Sequence, residues 1–468
     1  MRYYLGIDLG TTGTKTILFD ESGKALGKGY SSYELLSPQE GFFEERAEDW
    51  YYAVIESVKC ACKDFSGEIR AISFSAQGGS FLFANVENGV PIPLTNAITW
   101  MDRRAENEAL AIRDAYFTVT GKYPDASNMV AKYLFVKNNM PSAFEKAKYV
   151  LSTSDYIYMK ITGKAAIDYT SAAMMGVYDS SANDYDEKLL SLAGLDKSKF
   201  PPIVAPGDFL GYANGEFLEK TGLSGKISVY AGLHDQFAAS LGANYFSEND
   251  IIVSTGTTWV VFARNKKKID GVFACRKHPA KDFGYFLSAV SSGVVLEWEK
   301  SLFGLSYREM DELAANRPID AGLLVYPFIS GNGNYRGKNV LKFSIKNAEK
   351  RHEKGDIFRA TLEGVAFEIK EIFDIYQKSG FEINNVIVTG GATRSDVWMQ
   401  ILSDVLGRKL YLSEEADGCP FGAFSVAKRA DTGTDFFKFR FNGKTVSPSE
   451  ENHAKYTEKF KKYNDNLA

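Results

Sequence analysis

Apolar and polar positions along this chain change period in a repeating order. Residues 2–8 and 15–19 are short runs of β-branched, aromatic and aliphatic side chains, joined by GTTGT at 10–14. The runs predict two strands and the glycines a tight turn. ESGK at 21–24 reads as a second turn, after which GKGYSSYELL continues the sheet. DWYYAVIESVKCACKDF places apolar residues at helical spacing, and IRAISFSA predicts a buried strand that ends at Gln77-Gly78-Gly79. From about 105 to 225, helix-like segments mix with loops. The strand signal then returns in ISVYAGLHD, followed by a small-residue helix, QFAASLGA, and a strand pair, IIVSTGTT and WVVFAR. The last third repeats helix then strand. DIFRATLEGVAFEIKEIFDIYQKSG predicts a long amphipathic helix, NNVIVTGG a buried strand, SDVWMQILSDVLG a helix and RKLYLSE a strand.

Strands alternating with helices predict an α/β architecture. Each half opens with a strand pair broken by Gly-Thr-Thr, at Gly10-Thr11-Thr12 and Gly256-Thr257-Thr258, so the fold reads as an internal duplication. The expected domains are 1–243 and 244–468, with SLGANYFSEND at the boundary. No low-complexity linker separates them, which predicts a hinged interface rather than a tether.

Composition narrows the function. At 468 residues and 45% hydrophobic content the chain exceeds one core, and two domains are expected. Fifty-five basic against fifty-nine acidic side chains give a net charge of -4, with no long basic run, so nucleic acid is not an expected partner. No segment approaches the roughly 20 apolar residues that span a bilayer, and Asp8 interrupts the stretch where a signal peptide would be apolar. The four cysteines, Cys60, Cys62, Cys275 and Cys419, suit a reducing cytoplasm. Cys60 and Cys62 share a helical run without a neighbouring His or Cys, so structural zinc is not expected there.

The chemistry concentrates at the two turns. Glycine lets a ligand approach the main chain, and threonine hydroxyls with clustered amides suit phosphate oxygens. Asp8, two residues before Gly10, would repel phosphate unless Mg²⁺ stands between them. Neither segment has the Walker spacing. A plain hairpin turn is the bland alternative for each copy.

IDLGTTGTKTILFD resembles the first phosphate motif of the sugar kinase, Hsp70 and actin superfamily. STGTTWVVF resembles its second phosphate motif, and VIVTGGATRSDVWMQILSDVLG its adenosine segment. Within that superfamily the chain resembles the FGGY carbohydrate kinases, from residue 3 to about residue 430. The resemblance implies two ribonuclease H-like (actin-like ATPase) domains with a cleft between them, the first binding sugar and carrying the base, the second binding nucleotide. It implies ATP and Mg²⁺ as cofactors, and closure of the halves on the substrates.

Residue by residue, the resemblance makes Asp235, in AGLHDQFAASLG, the catalytic base. A helix N-cap aspartate is the ordinary reading of an Asp so placed, and the two roles are compatible. Asp8 is assigned to Mg²⁺, with Asp235 beside it. Thr11 and Thr12 face the γ-phosphate, Gly256 and Thr257 hold the other side of the triphosphate, and Gly390, Gly391, Ala392 and Ser395 lie at the nucleotide. In SFSAQGGSF, Gln77 matches xylulokinase-like Gln-Met-His-Gly, while Gly78 and Gly79 replace the Met and His. ITWMDRR resembles the family's I-x-W-x-D-x-R segment, giving Trp100, Asp102 and Arg103 as sugar-pocket candidates; the alternative makes Trp100 core and Arg103 a surface charge. Gln236 is placed to hold a second hydroxyl. His234 has no partner visible in sequence, and a surface or supporting role is expected of it rather than catalysis. The family's Gly-Glu-Arg-x-Pro stretch is replaced by YPFISGNGNYRG, with Asn332 and Gly333 for Glu and Arg, and Arg336 later.

The expected activity is phosphorylation of a small ketose or polyol, a pentulose such as D-xylulose first. Glycerol, erythritol, gluconate, L-xylulose and sedoheptulose are the alternatives. An Hsp70- or actin-like ATP-driven clamp is the competing class, and a sensor that lost catalysis is disfavoured by the presence of Asp235. A second copy of the chain, as a homodimer, is the one macromolecular partner the reading allows.

Overall fold

The computed structural model describes residues 1–243, 249–266, 269, 275–277 (main chain), 283–332, 341–413, 417–434 and 443–467. Gly333 and Arg336 of the altered loop, and most of the expected boundary at 244–248, lie outside the described residues. Contacts divide the chain into two compact units, Met1–Gly242 with Asp417–Phe437, and Ala243–Ala416 with Lys438–Ala468.

In the first unit Tyr3–Leu9 and Gly13–Asp20 form the expected hairpin, and Ala25–Ser32 extends it antiparallel. On the other side of Tyr3–Leu9 lies Ile69–Ala76, parallel, then Ser228–Tyr230 and Phe209–Tyr212. The connecting helix Ala47–Ala61 buries Trp50, Val54 and Val58 in the core under the sheet. The strand expected at 227–235 breaks into Ser228–Tyr230 and Leu233–His234. A side chain at the intervening Gly232 would meet the Phe74 carbonyl oxygen at 2.0 Å, so two main chains touch there. Glu44–Glu45 joins strands within 81–98 and 149–152 in a separate small sheet, and the helix Met129–Asn139 packs Tyr133 on Phe81, with Phe200 against Tyr133.

The second unit repeats the scheme. Ile251–Thr255, Trp259–Asn265 and Phe283–Ala289 run antiparallel, and Val386–Gly390 lies parallel beside the first of them, followed by Leu410–Leu412. The helix Lys354–Lys378 supplies Phe358, Leu362, Val365 and Ile369 to the core. Even the register repeats: Asp8 pairs with Ser75 in the first unit, and Ser254, equally two residues before a Gly-Thr-Thr, pairs with Thr389 in the second.

One assignment changes. The sequence places all of 244–468 in the second domain, yet the helix Gly418–Thr432 belongs to the first unit. Small residues make this packing close. A Cβ on Gly6 would lie 2.0 Å from the Pro420 carbonyl oxygen, and one on Gly422 would lie 2.1 Å from that of Ala238. Phe424 stacks on Phe19, and Arg70 donates to Asp431 at 2.8 Å. The apolar side of QFAASLG is therefore spent on this helix.

Candidate active site

Asp8 interrupts a strand that is otherwise buried. The Ser75 hydroxyl, its partner across the parallel pair, donates to Asp8 Oδ1 at 2.7 Å. Burial raises the Asp8 carboxyl to about 7, with the charge of Asp235 adding to the rise and Ser75 and Lys15 opposing it. Lys15 faces Asp8 in hairpin register and also pairs with Asp417 at 3.1 Å. At the turn, Gly10 N donates to Gly13 O at 3.1 Å, and the hydroxyls of Tyr33 and Tyr30 donate to the carbonyls of Gly10 and Thr12. Thr11 is half-buried and Thr12 exposed. Trp100 Nε1 donates to Thr11 Oγ1 at 3.3 Å, which joins the turn to the ITWMDRR segment.

Asp235 is the first residue of the helix Asp235–Gly242. The main chain just before it is fixed by a buried relay: His234 N donates to Thr170 Oγ1 at 2.8 Å, and that hydroxyl donates to Asp168. Burial raises the Asp235 carboxyl to about 6, against the backbone and side-chain amides of Gln236, which donate to it. Gln236 thus points its amide at the carboxylate. His234 Nε2 lies 3.0 Å from Asp235 Oδ1 but out of line for a hydrogen bond. A carboxyl near 6 combines a populated basic form with useful proton affinity at neutral pH.

Around this pair the loop after Ile69–Ala76 turns through Gln77, Gly78 and Gly79. Gln77 is buried; its Nε2 donates to Glu45 Oε2 at 2.7 Å, and Trp50 Nε1 donates to the same oxygen at 2.8 Å. Burial raises Glu45 to about 7. Trp100 is 47% exposed, so it is not a core residue. Asp102, expected among open hydrogen-bonding groups, is fully buried with both oxygens taken. Arg104 grips them at 2.9 and 2.8 Å, and Phe43 N donates to Oδ2 at 2.7 Å. Asp102 therefore braces the turn. Arg104, the arginine of the I-x-W-x-D-x-R pattern, also pairs with Glu44 at 2.8 Å and lies 4.2 Å over the Phe42 ring. Arg103 is the surface charge of the alternative reading, 4.0 Å from Asp125. Lys132, which sequence reasoning missed, is buried with Nζ donating to the Thr99 carbonyl at 2.8 Å, and burial lowers its ammonium to about 8.

The second unit holds its turn by different means. Gly293 N and Val294 N, at the start of the helix Ser292–Phe303, donate to Thr257 O at 2.9 and 3.0 Å. Gly256 and Thr257 are exposed. Gly390 sits at φ 99°, where a Cβ would meet Thr255 O at 2.4 Å, so glycine is required. Thr255 Oγ1 donates to Thr389 O at 2.6 Å and accepts from Ala392 N at 3.2 Å. Ser395 caps the helix Asp396–Leu406, accepting from Trp398 N at 3.2 Å. No ionisable side chain stands on this turn or on the strand before it; Ser254 occupies the place of Asp8.

The model of the FGGY family of carbohydrate kinases, N-terminal domain, matches residues 3–242, and that of its C-terminal domain matches residues 251–430. The chain belongs to the FGGY family of carbohydrate kinases. It is 26% identical to the xylulose kinase of Bacillus subtilis over 91% of this chain and 88% of that one. It is 27% identical to a probable L-xylulose kinase of Haemophilus influenzae over 99% and 98%. A crystal structure of a xyloylose kinase from Brucella ovis superposes with a TM-score of 0.89 at 25% identity, covering 99% of this chain and 98% of that one. The two ribonuclease H-like domains expected from the sequence are the actin-like ATPase fold of these FGGY kinases.

Within the family, the structure gives a local reason for one departure. Gly79 lies at φ 77°, and a Cβ there would come within 3.2 Å of Trp100 Cβ, so this glycine is not a simple loss of side chain. Among the described residues no helix is long and apolar enough to cross a membrane. Cys60, Cys62 and Cys419 carry free thiols.

Proposed function

We propose that this FGGY kinase transfers the γ-phosphoryl group of ATP to a hydroxyl of a small ketose or polyol, a pentulose such as D-xylulose being the first acceptor to test. One observation carries the reading: a carboxyl held at about 6 at a helix amino terminus, within electrostatic reach of a second raised carboxyl beside a Gly-Thr-Thr turn. Asp235 takes the proton of the attacking hydroxyl as the acceptor oxygen bonds to phosphorus and ADP leaves. The helix amino terminus adds partial positive charge at the phosphoryl group. Thr11 and Thr12 of the first unit and Gly256 and Thr257 of the second are the phosphate-holding residues of this proposal, with Gly390, Gly391, Ala392 and Ser395 at the nucleoside. Gln77, Gly78, Gly79, Trp100 and Gln236 surround the acceptor; Asp102 and Arg104 act from beneath by fixing the Trp100 turn.

Among the described residues no group of three or more His, Cys, Asp or Glu side chains gathers as a metal site. Mg²⁺ requires only one or two carboxylates beside phosphate and water. Asp8 and Asp235, both raised by burial and the first also by the charge of the second, fit that demand. When bound, the ion neutralises charge on the β- and γ-phosphates. The xylulose acceptor is supported by the relatives named for it.

A coupled ADP-release assay with ATP, Mg²⁺ and a panel of D-xylulose, L-xylulose, glycerol, erythritol, gluconate and sedoheptulose tests it. Turnover with a pentulose at least tenfold above the others supports the proposal. Preference for another member moves the acceptor and keeps the chemistry. Slow ATP hydrolysis that no acceptor stimulates replaces the kinase reading with the clamp.

A further inference from the structure

The Gln77-Gly78-Gly79 loop and the residue before the candidate base fit together as one object. A Cβ built on Gly78 would lie 2.4 Å from His234 Cδ2, 2.6 Å from His234 Nε2 and 2.5 Å from Met174 Cγ. Real Cβ atoms do not approach other heavy atoms so closely, so the imidazole stands in the volume that a side chain at 78 would need. On the other side of the loop, the Trp100 side chain starts 3.2 Å from where a Cβ on Gly79 would be. Two successive glycines thus face the His234 ring and the base of the Trp100 side chain. The ring at 234 is 96% removed from solvent, being only 4% exposed. Its main chain is pinned by the Thr170 hydroxyl, itself bound to the fully buried Asp168 that caps Tyr169–Ala172. Its Nε2 edge covers Asp235 Oδ1 at 3.0 Å.

We propose that His234 is the positioning residue of the acceptor site: Gly78 is glycine because the His234 ring occupies its side-chain space, and the ring sets the rotamer of Asp235. The wall that the residues after Gln77 would otherwise build is built here by His234 and Met174, with Trp100 next to it. The contact between loop and base is steric and local, so residues 78 and 234 are coupled while neither needs to touch the phosphate. Any methyl group at 78 must move the ring, and a moved ring turns the carboxylate beside it. The functional half of this inference rests on the kinase reading; the packing half does not.

A double-mutant cycle separates the two. Gly78→Ala, His234→Ala and the double variant are compared for melting temperature and for turnover with ATP and the best acceptor. Gly78→Ala alone is expected to lower the melting temperature by about 2–4 °C, the scale of one overpacked methyl, and to lower kcat at least tenfold. In the His234→Ala background only the contact with the flexible Met174 side chain is left, and the same substitution is expected to shift melting by less than about half as much and kcat by under about twofold. His234→Ala should lower kcat with KM for ATP unchanged, and His234→Gln, which keeps a flat polar end at similar reach, should restore most of it. Additive melting shifts overturn the inference whatever the activity. Equal kcat loss in His234→Ala and His234→Gln, or a KM for ATP that rises with it, overturns the positioning role. If the wild-type enzyme phosphorylates no acceptor while the melting shifts stay non-additive, the kinase reading fails and the steric pairing stands.

Discussion

The two Gly-Thr-Thr turns share backbone and register and differ in chemistry. Each joins an antiparallel strand pair and lies beside a parallel strand, with hydroxyl residues Ser75 and Thr389 at matching positions. The first, however, carries Asp8, faces Lys15 across the hairpin and feels the charge of Asp235. The second has Ser254 where the first has Asp8, Val260 across the hairpin, and a glycine at φ 99° pressed on Thr255. The two turns repeat one backbone arrangement, and ionisable side chains stand beside only the first. A carboxylate near phosphate is tolerable only where a cation is to be held, so the asymmetry divides the labour. In the proposed reaction the first turn would handle protons and charge, while the second would hold a polyanion with neutral groups.

The sharpest way to break this contrast is to remove the charge that has no counterpart. Asp235→Ala should cut kcat by about 10²–10⁴-fold, the range for a lost general base, with ATP affinity by calorimetry in the absence of Mg²⁺ unchanged. Turnover near wild type would place the base elsewhere. Next in size, Ser254→Asp gives the second turn the acid of the first. Unshielded by any neighbouring lysine of the hairpin, it should raise KM for ATP about tenfold or more, equivalent to roughly 1.4 kcal/mol. An unaltered KM would mean that the second turn does not face phosphate. Gly390→Ala against Gly10→Ala compares the backbone demands of the two sites. The first forces a side chain into the left-handed region against Thr255 and should cost about 1–3 kcal/mol in denaturant unfolding. The second, whose Cβ would meet only Gly13 O at 3.4 Å, should cost under about 1 kcal/mol.

The smallest effect concerns Glu45, the buried acid under Gln77. Its carboxyl lies at about 7 against an ordinary 4.5, so the folded protein keeps a proton that the unfolded chain releases. Its contribution to stability is therefore full below about pH 4.5 and is lost as pH rises through about 7. Glu45→Gln keeps an acceptor for Trp50 and Gln77 and should flatten that part of the stability-pH curve. A slope unchanged from wild type would assign it to other buried acids.

The hairpins, the parallel strands after them and the helix Lys354–Lys378 were legible because each is local: period, turn residues and length agree within one stretch of chain. The helix Gly418–Thr432 was not, since its place depends on Gly6 and Ala238, far away in sequence. Asp102 shows a second limit. The W-x-D-R-R pattern reveals an acid among arginines, but only geometry shows Arg104 folding back to take both oxygens while Arg103 faces out. Gly78 and Gly79 show a third. Read alone they are missing contacts; in three dimensions they face the His234 ring and the base of the Trp100 side chain. Hairpin register alone places Lys15 opposite Asp8, and the parallel pairing adds Ser75.

The return of Gly418–Thr432 to the first unit has a consequence during synthesis. At about 5–20 residues per second, roughly 10–40 s pass between the emergence of Gly242 and that of the helix which covers Gly6 and Ala238. For that interval the nascent amino-terminal sheet has one face with no lid of its own, and a chaperone that shelters apolar surface on the ribosome would find its target there.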